Sequence, residues 1–354
     1  MVFSMSSSYR VFEYGWLIAR GCNPPAWEGL LRSWRVPGES RSLKAIRRWL
    51  TQAVLVFLLV AGCGSSITSV FAQELEVRRW NHLPIGRNFV AANYAHTDGE
   101  IEFNPVLLIE DVVMDVDTWL LGYVRAFELF DRTARVEVRQ AWQEGTWSGL
   151  LDGTPTTISR SGWSDTFLRF AVNLFGAPPL VGKSYADYRA RTEVETIVGM
   201  ALGIQVPTGQ YFDDKLINLG SNRFTFRPQL GIQHHNHNWT FEATGTFWIY
   251  TDNNSFFDGN KLEQDPYFTI DGSVEYKFDS GLWVSASGGI GVGGQSTVNG
   301  DKKDDYKEDF AWAVSMGFPL TRSLSVKATY LETGHWSQVG LESQTVSVGI
   351  LTSW

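Results

Sequence analysis

Four groupings in the sequence have residue types that suit chemistry. Gly289, Gly291 and Gly294 in "GGIGVGG" spell a literal G-x-G-x-x-G. A dinucleotide site needs that motif between a strand and a helix, so that the pyrophosphate meets the helix N-terminus. Here the glycines sit inside an alternating stretch, and the polar "QSTVNGDKKDD" follows. Small residues on a lumen-facing strand surface, where backbone or a plug approaches, explain them better. His234, His235 and His237 are near neighbours whose neutral imidazoles suit a metal. Only His235 and His237 share a strand face, and no carboxylate or cysteine joins them locally, so a solvated turn is the stronger reading. "GHWSQ" sets His335 two residues from Ser337. A serine nucleophile needs a base held against it and a third group to orient that base, and the sequence identifies no third group. Asp213, Asp214, Asp258, Asp301, Asp304 and Asp305 fall in polar links, where they suit divalent cations or plain solvated surface. No catalytic centre, cofactor or metal is expected.

The elements that hold these residues are strands. Period-two alternation marks a half-buried strand, and it recurs along the chain. Leu168, Phe170, Val172 and Leu174 oppose Arg169, Ala171 and Asn173. Val136, Val138 and Trp142 oppose Arg135, Glu137 and Arg139. Phe224, Phe226, Leu230 and Ile232 oppose Arg223, Thr225, Arg227 and Gln229. Phe268, Ile270, Val274 and Tyr276 oppose Asp271, Glu275 and Lys277. The pattern predicts about twelve strands: 87–97, 116–129, 132–145, 163–175, 194–206, 222–233, 238–250, 266–278, 281–295, 307–318, 322–332 and 343–354. Short links ("FDR", "HHNH", "DS", "PLT") alternate with long polar ones at 98–115, 146–162, 207–221, 251–265, 296–306 and 333–342. An even strand number with alternating short and long links is the pattern of an outer-membrane barrel. The exception, 176–193, contains "SYADYRAR", which reads as a short periplasmic helix.

Composition agrees. Of 354 residues, 14 % are aromatic and only 19 % charged, against roughly a quarter charged in soluble domains. Mean hydropathy is still slightly polar at −0.14, as expected when half of each strand faces lipid and half faces water. Residues 1–72 hold eight Lys/Arg and three Asp/Glu, leaving 22 against 35, or −13, for the remainder. That argues against nucleic acid as a partner.

The start of the chain has a different character. Lys44, Arg47 and Arg48 precede the apolar Ala53–Gly64 run, which is too short to span a bilayer and reads as a secretory leader over residues 43–72. Val70-Phe71-Ala72 places cleavage before Gln73. A competing site, Val60-Ala61-Gly62-Cys63, fits lipoprotein processing at Cys63. Cleavage before Gln73 would remove Cys22 and Cys63 and leave no disulfide framework. Residues 1–42 are an extension with neither domain nor ordinary leader character, as a misplaced gene start or an extended leader would give. Residues 73–354 form the predicted barrel.

"FDDKLINLGSNRFTFRPQLGIQ" (212–233), "TDNNSFFDG" (251–259), "EQDPYFTIDGSVEYKF" (263–278), "VNGDKKDD" (298–305) and "SRSGWSDTFLRFAVNLFGAPPL" (159–180) resemble, in order, a bacterial outer-membrane family. It is the MetA-pathway of phenol degradation family, whose members are labelled transporters. The resemblance spans roughly Asn88 to Trp354 and implies a closed antiparallel transmembrane β-barrel in the bacterial outer membrane. It implies handling of aromatic compounds and carries no catalytic or binding residues to transfer.

An all-β barrel of about twelve strands is therefore expected, bathed in outer-membrane lipid and passively admitting small hydrophobic or aromatic solutes. An occluded structural barrel and an outer-membrane hydrolase using Ser337 are the alternatives. Arg135, Glu137, Arg139, Arg169, Arg227, Glu242, Asp271, Glu275 and Lys277 are expected to face the lumen, because each Arg or Lys in mid-lipid costs about 2–4 kcal/mol. They either tune a polar path or form an ion-pair network that fills a narrow barrel. Phe256 and Phe257, in a long loop, suit capture of an apolar solute or a lid. The last strand, ending on Trp354, is expected to pair with the first and so abolish the open edge. Its terminal ring would lie at the membrane interface, and such an ending fits handling by the outer-membrane assembly machinery.

Overall fold

A computed structural model describes residues 75–354 apart from 105, 107, 152, 338 and 339. The leader, its two cleavage alternatives and both cysteines lie outside the described residues. In chain order the elements begin β1 (Asn88–Asn104), β2 (Ile109–Leu129), β3 (Arg132–Leu151), β4 (Thr154–Trp163) and β5 (Thr166–Phe175). Helix α1 (Gly182–Arg191) comes next, then β6 (Val194–Val206), β7 (Thr225–Asn236) and β8 (Trp239–Tyr250). There follow β9 (Asn253–Phe256), β10 (Asn260–Gln264), β11 (Tyr267–Lys277), β12 (Trp283–Gly293), β13 (Ser296–Val298) and β14 (Asp301–Lys302). The last three are β15 (Lys307–Pro319), β16 (Leu324–His335) and β17 (Leu341–Ser353).

Thirteen strands share one sheet. Twelve close the wall in the order β1, β2, β3, β5, β6, β7, β8, β11, β12, β15, β16, β17, and every neighbouring pair is antiparallel. The thirteenth, β4, continues β5 outward along the far half of β3, from Trp142↔Trp163 to Leu151↔Thr154. Closure runs through β1 and β17, from Phe89↔Ser353 to Ile101↔Leu341. Beyond it, Asn88 and Trp354 exchange main-chain hydrogen bonds of 3.0 and 3.1 Å. No wall strand is left with an unpaired edge, the condition lipid imposes on a sheet.

The links at one end are tight. Phe130 and Asp131 join β2 to β3 with φ of 50° and 56°, the left-handed pair that matches hairpin twist. His237 and Asn238 join β7 to β8, so His234 and His235 belong to β7 itself. At the other end two spans read as loops from sequence are instead largely strand, over 98–104, 109–115, 146–151 and 154–162. β1, β2, β3 and β4 run past the wall as hairpins. Their extension is held by a small core of Ile101, Ile109 and Val112 packed with Trp147 and Leu151. Apolar residues that look like loop interruptions are thus the inner face of a second, local core. Two other long links fold into a separate sheet, β14-β13-β10-β9.

The outer face is apolar and exposed. Leu230 is 61 % exposed, Val348 54 % and Ile270 48 %, which in water would be an aggregation hazard. Tyr94, Trp119, Trp142 and Trp163 occupy one register row across four strands toward the long-loop end. Trp354, 59 % exposed, stands at the opposite rim. Aromatic residues bounding an apolar belt define the two lipid interfaces of a membrane barrel. A closed wall with this belt is an outer-membrane β-barrel. Leu230→Arg is expected to lower folded stability in lipid vesicles by about 2–4 kcal/mol, read as a shift of the urea midpoint. An unshifted midpoint would remove Leu230 from the lipid face.

Candidate functional site: a lumen filled by the chain's own N-terminal segment

Register puts the charged candidates opposite the exposed apolar residues. In the row joining β3 and β5, Glu137 pairs with Arg169. The Glu137 carboxylate serves three guanidinium groups: Arg169 Nη1 at 2.7 Å, Arg139 Nη2 at 3.1 Å and Arg135 Nε at 3.3 Å. Arg169 Nε also donates to Gln229 Oε1 at 2.8 Å. Arg227 lies 3.8 Å from the Trp248 ring centre and 4.9 Å from that of Phe167, and donates to Gln205 Oε1. Glu242, Asp271 and Glu275 follow on β8 and β11. Lys277, the last residue of β11, is exposed.

Residues 75–87 supply the partners, a role that sequence reasoning missed. This segment runs into the barrel before β1 begins. Leu75 packs on Ala311 and Ala313 of β15 and on Leu331 of β16. Glu76 accepts from Arg139 Nη2 at 2.6 Å. Arg78 donates both Nε and Nη2 to Glu275, at 2.6 and 2.7 Å, and its guanidinium stacks 4.3 Å from the Trp283 ring centre. Arg79 Nη1 meets Asp271 Oδ1 at 3.3 Å, while its main-chain N–H donates to Glu242 at 3.2 Å. Bidentate pairing of this kind is the strong form of a charge-assisted bond.

Trp80 is the anchor. It is fully buried, its Nε1 donates to Thr244 Oγ1 at 2.9 Å, and Arg169 lies 5.0 Å from its ring centre. The indole has room because Gly199 on β6 and Gly231 on β7 have no side chain. A Cβ at those positions would sit 2.3 and 2.0 Å from Trp80 ring atoms. A lone Gly in a strand often marks such an approach. "RRW" followed by strands carrying isolated inward glycines was the available signal, but sequence does not say which ring meets which glycine.

Helix α1 fixes the segment where it enters. Tyr185 Oη donates to the His82 carbonyl at 2.9 Å, and His82 Nε2 is 2.7 Å from the Pro178 carbonyl. Tyr188 and Arg189 donate to Glu195 at 2.8 and 2.7 Å, and Ile85 N–H donates to the Leu180 carbonyl at 3.0 Å. The helix read at "SYADYRAR" is therefore the clasp of the plug.

Toward the long-loop end, Asp165 pins the 207–224 link to the wall. Its two oxygens accept from Gly209 N–H, Ser221 N–H, Ser221 Oγ and Gln205 Nε2 at 2.5–3.0 Å. Phe256 is enclosed by the outer sheet at 8 % exposure, and Phe257 is half-buried. The Phe256 backbone is drawn into the β9–β10 pairing. Two of the loop acids have local partners: Asp214 pairs with Lys215, which holds its carboxyl below the usual carboxylate range, and Asp305 accepts from Ser296 N–H at 2.7 Å. Gly289, Gly291 and Gly293 lie at inward register positions of β12, and no helix follows. His335 Nδ1 is 2.7 Å from the main-chain carbonyl of Ser337, which must accept. That nitrogen is thus not a base for the serine hydroxyl.

A family model described as "Putative MetA-pathway of phenol degradation" matches residues 108–348. No curated protein matches the sequence. Among solved structures, an outer membrane channel from Pseudomonas putida F1 is similar at TM-score 0.66 and 18 % identity, covering 79 % of this chain and 99 % of its own. The transport unit of the autotransporter AIDA-I from Escherichia coli is similar at TM-score 0.46 and 8 % identity, with coverage of 79 % and 93 %.

Proposed function

The chain belongs to the family of the MetA pathway of phenol degradation, and from that premise we propose that it is an outer-membrane channel for small aromatic compounds, closed at rest by residues 75–87. The observation that carries this reading is the plug itself. A segment lying across the lumen and held by side-chain contacts to the wall is what a channel closed at rest would carry. Phe167, Trp248, Tyr250 and Tyr267 stand at inward register positions beyond Trp80, and they offer ring faces interleaved with Arg223 and Arg227. Stacking on rings and guanidinium planes favours a flat, polarisable solute over an aliphatic one of equal size. The family description and the channel similar to this chain support the same reading.

On this account Arg135, Glu137, Arg139, Arg169, Arg227, Glu242, Asp271, Glu275 and Lys277 set the polarity of the path once the plug moves. Uptake of phenol and of an aliphatic alcohol of equal carbon number, compared between a deletion strain and the complemented strain, tests the reading. Complementation is expected to raise phenol uptake several-fold and leave the alcohol unchanged. Equal uptake in both strains would reject transport. An occluded structural barrel is the second reading, favoured by the same filled lumen. It predicts no conductance even when the plug is loosened.

A further inference from the structure

We propose that Glu102, His335 and Glu342 form a binding site for a zinc-class divalent metal ion that ties β1, β16 and β17 together at the extracellular rim. The inference rests on the fold and not on the transport reading.

The surroundings of His335 suit a bound cation. The ring is buried, its side chain only 4 % exposed. Nδ1 faces the Ser337 carbonyl at 2.7 Å. A carbonyl only accepts, so Nδ1 carries the proton, and in a neutral ring Nε2 presents its lone pair. That Nε2 is buried without a hydrogen-bond partner. It stands 3.2 Å from Glu342 Oε1, itself an acceptor. In the neutral ring that lone pair faces a carboxylate in a buried place, an unfavourable arrangement that a metal ion between them relieves, as a second ring proton also would; the zinc titration below separates the two. The Nδ1–H···O=C bond is also the outer contact that orients metal-binding histidines.

Glu102 completes the set. The ligand atoms of Glu102, His335 and Glu342 all lie within 4.8 Å of one another. Tetrahedral zinc at about 2.0–2.1 Å from nitrogen and oxygen spaces its ligands roughly 3.4 Å apart, which agrees with the His335–Glu342 distance. Among the described residues, no Lys or Arg pairs with Glu102 or Glu342. Gly340 lets the ring sit there: a Cβ would come 2.3 Å from His335 Cδ2, and the Gly340 carbonyl accepts from Glu102 N–H at 3.2 Å. Glu342 pairs with Glu100, six residues beyond Tyr94 on β1, about 20 Å outside the aromatic row at 3.3 Å per residue. The ion would thus be reached from outside the cell, and the imidazole selects zinc-class metals over calcium or magnesium. Sequence spacing does not group these ligands, because they come from three strands 7 to 240 residues apart in sequence. A second grouping, His96 with Asp115 and Asp117, lies on the outer wall with no unpartnered buried atom, and it carries no comparable argument.

The test uses untagged full-length protein, purified in detergent, stripped with chelator and titrated with Zn²⁺ by calorimetry and with Co²⁺ by visible absorption. One Zn²⁺ per chain is expected. Glu102→Gln, at an exposed position that leaves folding intact, should weaken binding at least tenfold. His335→Gln should abolish both the binding and the cobalt spectrum. Absence of stoichiometric Zn²⁺ binding to the unsubstituted protein overturns the proposal, as does binding unchanged in Glu102→Gln or His335→Gln. Equal affinity for Ca²⁺ overturns the zinc-class assignment.

Discussion

Trp80→Ala is expected to convert a closed barrel into a conducting one, with time-averaged single-channel conductance in planar bilayers at least tenfold above that of the unsubstituted protein. The indole fills the space over Gly199 and Gly231 and donates to Thr244. Truncating a fully buried tryptophan costs about 3–5 kcal/mol. At about 1.4 kcal/mol per decade, the docked-to-released ratio of the plug falls by roughly two to three and a half decades. The same ratio should fall when the socket is changed and the plug is left alone. Gly231→Leu inserts a side chain where a Cβ would already lie 2.0 Å from Trp80 Nε1. Agreement between the two variants separates release of the plug from damage to it. If both conduct no more than the unsubstituted protein, residues 75–87 do not close the path and the structural-barrel reading gains.

Glu137→Ala has the second large effect. Its carboxylate is the shared partner of Arg135, Arg139 and Arg169 inside the wall. Removing one member of a buried ion pair costs about 3–5 kcal/mol, because the remaining charge is left uncompensated. Here several guanidinium groups are left. Refolding into vesicles should therefore shift to lower urea by a corresponding amount. In a Trp80→Ala background the conducting state should move toward anions, read as a reversal-potential shift under a salt gradient. Glu137→Leu combined with Arg169→Leu should recover part of the stability, since replacing both partners by apolar groups removes the stranded charge. A single Glu137→Ala variant as stable as the parent would mean that Glu76, which already holds Arg139 at 2.6 Å, carries the compensation.

Local rules explain how much of this was legible. The alternation Val136-Glu137-Val138-Arg139 assigns each residue to a face whatever its neighbours are, because a strand has period two. Twelve such stripes, separated by short and long links in turn, leave one closed arrangement. Boundaries failed where apolar residues serve a purpose other than lipid contact. Ile101, Ile109 and Trp147 extend strands into water because they cover one another, a contact that alternation does not encode. Phe256, placed in a long loop, is buried in a sheet that the loop itself forms.

The sequence by itself determined the barrel, its strand number and the short helix between β5 and β6. Each follows from neighbours within a few residues. Only the tertiary structure decided what fills the interior and what meets at the rim. Trp80 reaches Gly231 and Thr244 across 151 and 164 residues of sequence, and Arg78 reaches Glu275 across 197. Such partners are chosen by closure of the ring, which brings every wall strand within reach of one short segment. The chain's pattern records which residues turn inward, and the geometry of the closed wall selects which of them touch.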